Sequence, residues 1–257
     1  MVELIVLGSG SKGNATLVRS GRGAVLVDAG LSCRQLVARL EAAGQDPARI
    51  DAILVTHEHV DHVGGLPVFL KRYPTPVYMT ERTAEAAAAR VARAPQVVPV
   101  VAGEAFDAGP FRVTAVPVPH DAVDPVAYLL ERDGVRVGQV TDLGHVTTLV
   151  EARFAGCHAL VLEANHDRDM LLDGPYPWPT KQRVASRVGH LSNDHAAAAL
   201  ARLVGEETCE VVLAHLSEVN NDPGLAEAAA GAALADRGRR PRVHCARQHA
   251  PSRAVRL

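Results

Sequence analysis

The feature that most constrains this chain is a histidine-rich segment directly after a short apolar run. Residues 52–55 are Ala-Ile-Leu-Val, which is typical of a buried strand, and Thr-His-Glu-His-Val-Asp-His follows. His57 and His59 are two residues apart, so both side chains can lie on one side of an extended segment. With Asp61 and His62, they form a polar group that would be costly to gather for packing alone. Because zinc, manganese and iron accept imidazole and carboxylate ligands, the segment predicts a metal site.

The composition argues against a protein that is basic overall, rich in disulfides or embedded in a membrane. The 257 residues carry a net charge of −2, so the chain as a whole does not attract polyanions. The stretch from Arg237 to Leu257 holds many arginines and no acid, and is interpreted as either a local nucleic-acid patch or a solubilising tail. The four widely spaced cysteines form no CxxC pair and predict reduced thiols. With no signal peptide or apolar run that could span a bilayer, we expect a soluble, cytoplasmic protein.

Short β-rich runs alternate with alanine-rich helical stretches along the chain. The predicted strands are Glu3–Leu7, Ala15–Arg19, Ala24–Val27, Ala52–Thr56, Pro76–Met79, Val97–Val101, Phe111–Val118, Val126–Glu131, Arg136–Thr141, Ala159–Glu163, Glu210–Ala214 and Arg242–Cys245. The predicted helices are Ser32–Ala43, Leu66–Tyr73, Thr83–Ala94, Thr147–Phe154, Asn193–Val204 and Pro223–Asp236. Asn193 or Asp194 is expected to cap the fifth helix, Pro223 to open the last, and Asp133-Gly134 to form a hairpin turn. Hairpins beside strand–helix–strand units predict an α/β domain with mixed sheets over residues 1–257.

Residues 8–13, Gly-Ser-Gly-Ser-Lys-Gly, match the dinucleotide-binding pattern GxGxxG. Asp28 even lies at the distance expected of a ribose-binding acid. A dinucleotide site also needs a helix that starts at the glycines, because the helix N-terminus holds the pyrophosphate. Here a strand follows, then the turn Ser20-Gly21-Arg22-Gly23 and another strand. The segment therefore predicts a structural turn, with Lys12 and Asn14 as possible neighbours of the active site.

The histidine segment, with Val-Asp-Ala-Gly at Asp28, resembles the metallo-β-lactamase superfamily. Further matching segments resemble its YycJ (WalJ) branch, which is similar to ribonuclease Z. These segments are Gly8–Asn14, Pro119–Pro125, Val140–Gly144, Glu163–Asp167, Gly189–Asn193 and Ala214–Ser217. Val60 departs from the small polar residue of that pattern, at a position that is not a ligand.

The resemblance implies a four-layer αβ/βα sandwich with two mixed sheets and two divalent metal ions, Zn²⁺ or Mn²⁺, at one edge. One ion would be held by His57, His59 and His120, the other by Asp61, His62 and His215, with Asp142 bridging them. The predicted strands are consistent with this ligand set. His120, Asp142 and His215 each follow a predicted strand, and strand ends can meet at one edge of a sheet. Each of these three has an ordinary alternative, a loop residue for the first two and a core histidine for His215. Asp28 is expected to orient the ligand loop without binding metal.

The resemblance also implies a catalytic pair in which His190 donates a proton to the leaving group and Glu163 supports it. The alternative for His190 is a loop residue that caps a helix, and His166 is left undecided. Asp61 is expected to orient the attacking hydroxide of a two-metal mechanism. Lys181, Arg183, Ser192 and Asn193 are the candidate substrate-binding residues, because cations just before His190 can bind phosphates.

The metal site alone does not select the substrate. The His190/Glu163 pair favours phosphodiesters, and the chain has neither the β-CASP insertion of RNA-processing relatives nor the arm that grips transfer RNA. The resemblance therefore implies a DNA exonuclease, acting 5′ to 3′ in DNA repair. The alternatives are a (thio)ester hydrolase of glyoxalase II type, an RNA-processing nuclease and a metal-holding scaffold. Oligomeric state stays open, a homodimer included.

Overall fold

The computed structural model describes residues 1–257 with the exception of Arg22, so this part of the predicted turn lies outside the described residues. The described residues form two compact units, neither of which is one continuous stretch. The first unit comprises Met1–Pro117, Ala122–Val135 and Arg247–Leu257, and the second comprises Val118–Asp121 and Arg136–Ala246. In the part of the chain that the structure describes, no helix has the length and apolarity needed to cross a membrane.

The first unit is built on a mixed sheet of seven strands among the described residues, in the order β14-β1-β2-β3-β4-β5-β6. The strands are β1 (Val2–Gly8), β2 (Ala15–Ser20), β3 (Gly23–Val27), β4 (Ala52–Leu54), β5 (Val77–Met79), β6 (Val97–Pro99) and β14 (Val255–Arg256). The pairs β14–β1, β1–β2 and β2–β3 are antiparallel, whereas β3–β4, β4–β5 and β5–β6 are parallel. Parallel neighbours need crossover connections, and helices supply them here.

The helices of the first unit bury apolar side chains against this sheet. They are α1 (Cys33–Ala42), α2 (Val60–Val63), α3 (Leu66–Arg72), α4 (Glu81–Ala86) and α5 (Ala88–Val91), with a 3₁₀ turn at Pro47–Arg49. Leu36, Leu40 and Phe69 lie in one buried cluster with Leu17 and Leu26 of the sheet. Each such side chain contributes about 1.5–3 kcal/mol of stability on burial, so the sheet edge that carries the histidine segment rests on a firm core. The unit also contains the antiparallel strands β7 (Ala105–Ala108), β8 (Phe111–Pro117) and β9 (Val126–Arg132).

The second unit is built around four parallel strands, β10 (Val135–Val140), β11 (Ala159–Glu163), β12 (Glu210–Ala214) and β13 (Arg242–Cys245). Its helices are α6 (Thr148–Phe154), α7 (Arg168–Asp173), α8 (Trp178–Val184), α9 (Asn193–Leu203) and α10 (Pro223–Asp236). Every residue of β11 and β12 is buried, as expected of parallel strands covered on both faces. Polar residues that follow these strands are therefore delivered to one edge of the sheet.

The predicted fold class is confirmed. All twelve predicted strands are present, and the described strands form two seven-stranded sheets, each with parallel and antiparallel neighbours. The strands β7 and β14 were not predicted, because they are short and lack a clear apolar alternation. Asp133 and Gly134 have φ of 50° and 81°, as the predicted turn after β9 requires.

Two helix predictions need correction, and three short helices were missed. The predicted helix Thr83–Ala94 begins earlier, because Thr80 caps it by accepting a hydrogen bond from the Thr83 amide, and it is broken at Ala87 into α4 and α5. Helix α9 is capped by Ser192, one residue before the predicted Asn193. The short helices α2, α7 and α8 were missed, since four to seven residues are too few to show a helical period.

Candidate metal centre

The histidine segment after β4 turns back on itself through the short helix α2. His59 is the N-cap of α2, Asp61 lies in its first turn and His62 in its last. The turn brings imidazoles together, with ring centroids 4.5 Å apart for His57 and His59 and 4.1 Å apart for His57 and His62. The carboxylate of Asp61 lies 3.6 Å from Nε2 of His62. The first unit thus gathers four candidate ligands from six consecutive residues.

Asp28 and Thr56 hold these imidazoles in place. Asp28 is buried at the end of β3 and accepts hydrogen bonds from the amide and hydroxyl of Thr56 and, at 2.8 Å, from Nδ1 of His62. The Thr56 hydroxyl also lies 3.0 Å from Nδ1 of His57. A carboxylate on Nδ1 of a histidine directs its Nε2 toward a metal. Asp28 is therefore in contact with the histidine segment, and its role in orienting the metal ligands stays a prediction.

The glycine-rich turn of residues 8–13 packs beside the same segment. Asn14 donates its side-chain amide to the backbone oxygen of Asp61 at 3.3 Å and lies 3.1 Å from Nε2 of His62. Strand β2 begins directly afterwards at Ala15, so the helix that a dinucleotide site requires is replaced by a strand. Gly30 faces the same backbone, and an ideal Cβ there would lie 1.6 Å from the Asp61 oxygen. Only glycine fits at this position.

A second cluster lies at the carboxyl ends of the parallel strands of the second unit. Glu163 is the last residue of β11 and pairs in register with Ala214 of β12, which His215 follows. Asp142 lies two residues beyond the end of β10. Nε2 of His215 is 3.4 Å from Oδ1 of Asp142. Ligand atoms of Asp142, Glu163, His190 and His215 all lie within 4.8 Å of one another, so this cluster can hold a cation.

Backbone strain is concentrated at these residues. Four non-glycine residues among those described have positive φ, and apart from the turn residue Asp133 they are Asp28 (61°), Asp142 (60°) and His215 (55°). Left-handed backbone costs a non-glycine residue about 1–2 kcal/mol. Such strain persists where surrounding contacts fix it, commonly at functional sites. At all three positions it turns a polar side chain out of the line of its strand.

His190 and Glu163 form the pair predicted from the sequence. Nδ1 of His190 lies 2.7 Å from Oε1 of Glu163, whose Oε2 accepts the amides of Leu143 and Leu191. Burial alone raises the pKa of Glu163, but the contacts with His190 and His215 outweigh it and hold the pKa well below its ordinary range. Glu163 is therefore ionised and fixed in place, while the half-buried His190 keeps its other ring nitrogen for a further contact.

In the second unit, His120 is held through its Nδ1, as His62 is in the first unit. Its Nδ1 donates to the backbone oxygen of Gly189 at 3.1 Å, and its Nε2 lies 3.3 Å from Oδ1 of Asp121 and 4.0 Å from Oδ1 of Asp142. Burial lowers the pKa of His120, although Asp142 acts in the opposite direction. A neutral imidazole whose Nδ1 is tied to a carbonyl is the form that binds a metal through Nε2.

The comparisons with known proteins agree with this geometry. Residues 24–215 match the family model described as the beta-lactamase superfamily domain. The chain is 37% identical over 235 residues to exodeoxyribonuclease YycJ of Bacillus anthracis, which covers 91% of this chain and 89% of that protein. The chain belongs to the metallo-β-lactamase superfamily. Exodeoxyribonuclease WalJ of Streptococcus pneumoniae is 34% identical over 226 residues, covering 86% of this chain and 84% of its own. The superfamily fold is shared with YhfI from Bacillus subtilis, whose crystal structure has a TM-score of 0.76 at 18% identity and covers 98% of both chains.

As a metallo-β-lactamase enzyme, the chain is a hydrolase whose residues suit divalent metals. The predicted ligands His57, His59, Asp61 and His62 belong to the first unit, and His120, Asp142 and His215 to the second. The donor set is imidazole nitrogen and carboxylate oxygen, as zinc and manganese sites use. Nδ1 of His62 and of His120 is already engaged by a carboxylate or a carbonyl oxygen. Both rings are thus held as metal-binding histidines are held.

The four predicted substrate-binding residues of this superfamily member have internal contacts. Lys181, on α8, donates to the backbone oxygen of Leu172, and Arg183 is paired with Asp121 at 2.7 Å. Ser192 caps α9, and Asn193 is buried in a reciprocal amide pair with Asn221 at 2.8 and 2.9 Å. Ser192 and Asn193 thus have structural roles. Lys181 and Arg183 are the two charged residues of the set.

The arginine-rich C-terminal stretch is partly neutralised. Arg239, Arg242 and Arg256 lie 3.5, 3.0 and 3.0 Å from Glu206, Glu210 and Glu3. Because the acids come from distant parts of the sequence, the run of basic residues overstates the local charge. These pairs favour the structural interpretation of this stretch over a nucleic-acid patch.

Two supporting residues of the metallo-β-lactamase site were missed in the sequence. Thr56 contacts two imidazoles of the ligand segment, those of His57 and His62, and the carboxylate of Asp28. Asn165 donates to the backbone oxygen of the strained His215 at 2.8 Å. Both occur inside the quoted motifs, but their side chains carry no chemistry that singles them out. His166, undecided from the sequence, is buried, and burial lowers its pKa to about 4.

Proposed function

We propose that this protein is a metal-dependent nuclease that removes nucleotides from DNA, in the 5′ to 3′ direction, in DNA repair. The observation that carries the chemistry is the Glu163–His190 pair, 2.7 Å apart beside Asp142 and His215. Phosphodiester cleavage expels an alkoxide that needs a proton, and a histidine backed by a carboxylate supplies one. The substrate is inferred from relatives that are named exodeoxyribonucleases and are similar over most of the chain.

The residues of this chain have distinct roles in the proposed reaction. Glu163 accepts Nδ1–H of His190, which stabilises the charged imidazole and leaves Nε2–H to protonate the departing oxygen. The buried amides of Leu143 and Leu191 fix the carboxylate and hence the direction of the ring. Asp61 orients the attacking water. Bound divalent ions supply an activated water and neutralise charge that develops on the phosphate.

The ligand set implied by the family resemblance is retained in this proposal. His57, His59 and His120 would hold one ion and Asp61, His62 and His215 the other, with Asp142 as a ligand shared by the two groups. Zinc and manganese are the candidate ions, because both accept nitrogen and oxygen donors. We further propose that residues 1–257 act as one domain in the cytoplasm, with a homodimer left to measurement. Metal stoichiometry by elemental analysis tests the number of ions.

The deciding experiment uses 5′- and 3′-labelled single-stranded DNA, duplex DNA and RNA with Mn²⁺ or Zn²⁺. Asp61→Ala is expected to abolish cleavage, and His190→Ala to slow it by about 10²–10⁴-fold, the usual contribution of a general acid. His158→Ala is the matched control, because His158 is also paired with a glutamate, Glu207 at 3.1 Å, but precedes β11 instead of following it.

The label that is released first gives the polarity of the enzyme. Faster cleavage of RNA than of DNA would favour the RNA-processing nuclease over the DNA exonuclease. Absence of cleavage of every nucleic acid by fully metal-loaded protein would refute the nuclease. Hydrolysis of a thioester such as a glutathione conjugate by the same protein would then identify the glyoxalase II type of activity.

A further inference from the structure

Trp178 is the single tryptophan of the chain and is 60% exposed. Tryptophan offers the largest apolar surface of any side chain, so soluble proteins bury most of it unless it binds a partner. The residue opens helix α8, and its segment is Pro175-Tyr176-Pro177-Trp178-Pro179. Each proline fixes its own φ and restricts the residue before it. The aromatic side chain is therefore presented on a backbone with little freedom to lose on binding.

Helix α8 leads directly to the catalytic pair. The amide of His190 donates to the backbone oxygen of Val184, the last residue of α8, at 2.9 Å. Six residues of helix separate Trp178 from Val184, a rise of about 9 Å. Stacked nucleotides in one strand are about 3.4 Å apart, so this length corresponds to two or three nucleotides. The backbone of Trp178 is thus two or three nucleotide spacings along α8 from Val184, whose oxygen accepts the His190 amide.

Positive charge accompanies the tryptophan along the same path. Lys181 follows it by three residues, on the same side of the helix, and Arg187 lies between α8 and His190. Among the described residues neither cation meets a carboxylate: Lys181 contacts the Leu172 oxygen and Arg187 contacts His145. Both charges are thus available to phosphates, unlike that of Arg183, which Asp121 neutralises.

We infer that Trp178 is a stacking platform for a base of single-stranded DNA, with Lys181 and Arg187 on the phosphates between that base and the cleaved bond. The inference rests on the proposed nuclease function and specifies its substrate. Proteins bind single strands irrespective of sequence by stacking bases on aromatic side chains and placing cations beside the phosphates. Stacking is independent of sequence because every base has a flat face. Bases inside a duplex are already stacked on their neighbours, so this platform selects an unpaired end.

The single tryptophan makes the test direct, because its emission reports its own contact. Full-length, metal-loaded protein is titrated with a short oligothymidylate whose phosphorothioate linkages resist hydrolysis. The matched ligand is an abasic oligomer with the same charge. We expect the first to quench the tryptophan fluorescence and the second to leave it unchanged.

Variants separate stacking from folding. Trp178→Ala is expected to weaken binding of a labelled oligomer about 5- to 150-fold, the usual loss for one base–aromatic stack, whereas Trp178→Phe retains most of the affinity. Lys181→Ala is expected to reduce the dependence of log affinity on log salt by about 0.7. Leu225→Ala, an equally simple truncation of a residue 46% exposed on α10, is the control and should bind as the parent does.

The cleavage assay on the same preparations separates the two proposals. A parent protein that degrades DNA without any fluorescence change, and a Trp178→Ala variant that binds normally, would overturn the stacking platform and leave the nuclease standing. Equal affinity for blunt duplex and single strand would also overturn it. A protein that neither cleaves nor binds any nucleic acid would refute the nuclease itself and the platform with it.

Discussion

Replacing Asp28 tests whether one buried carboxylate controls both the stability and the metal affinity of the histidine segment. Asp28 is 1% exposed and accepts from the Thr56 amide at 2.8 Å and from Nδ1 of His62 at 2.8 Å. In Asp28→Ala both donors lose their acceptor, at about 1–3 kcal/mol each. The free energy of unfolding should therefore fall by about 2–6 kcal/mol, a large part of the roughly 5–15 kcal/mol typical of a native domain.

Asp28→Asn separates the two effects. The asparagine oxygen can still accept the Thr56 amide, and asparagine tolerates the left-handed backbone at this position, where φ is 61°. Its NH₂ group would face Nδ1 of His62 and make that nitrogen an acceptor, so the proton moves to Nε2. A protonated Nε2 cannot bind a metal. We expect near-parental stability of the metal-free protein and metal affinity reduced about 10- to 100-fold, as for other partners of metal-binding histidines.

The measurements are urea unfolding of metal-free protein and metal titration against a competing chelator. Asp51→Asn is the matched control, because Asp51 also accepts a backbone amide, that of Ala24 at 2.8 Å, within the same unit but away from the histidines. Parental metal affinity in Asp28→Asn would refute the assignment of Asp28 as the residue that orients His62. Parental stability of Asp28→Ala would show that water or another group satisfies the two donors.

Three further predictions use the same logic. Glu163→Gln should slow DNA cleavage about 10²–10⁴-fold by removing the charge that supports His190, while Glu207→Gln should leave the rate unchanged in the same assay. Gly30→Ala should abolish metal binding, since its Cβ would collide with the ligand segment, whereas Gly44→Ala meets no atom within 4 Å and should cost only the strain of its φ of 72°. His166 has a pKa lowered from 6.5 to about 4, so the unfolded chain binds more protons between these pH values. The stability of metal-free protein should fall as the pH is lowered through that window, and a His166→Asn variant that kept the same dependence in acid unfolding would contradict this cause.

The strands could be predicted closely because their sequences carry the signal locally. Strands β11 and β12 were predicted to the residue, since each is an apolar run bounded by polar residues and buried on both faces. Helix boundaries were less exact because a cap is a contact between side chain and backbone. Thr80 caps its helix three residues before the predicted start. Helix α9 begins at the predicted Asn193, but its cap is Ser192 and not Asn193 or Asp194. Very short helices such as α2 have no period to detect.

The candidate site could be predicted as a set of residues but not as an arrangement. The histidine motif identifies its own ligands because they are close in sequence. The partners that orient them come from elsewhere: Asp28 is 34 residues from His62, and Gly189 is 69 residues from His120. Contacts of this kind depend on which strand ends meet, which is decided by sheet order. Trp178 was missed for the opposite reason, since exposure is a property of the folded chain that composition does not give.

The left-handed residues connect the fold to the chemistry. Asp28 and His215 each directly follow a parallel strand, and Asp142 follows another by two residues. A regular strand would continue past the sheet edge and point successive side chains to opposite faces. A positive φ ends the strand and redirects one side chain along the edge, at a cost that only tight surroundings can sustain. Such contacts are present beside these residues: Asp28 accepts the amide of Thr56, just beyond β4, and Asn165 donates to the backbone oxygen of His215. The mixed sheets therefore do more than support the candidate ligands: the contacts at their strand ends keep the strained conformation, and that conformation sets where each ligand atom lies.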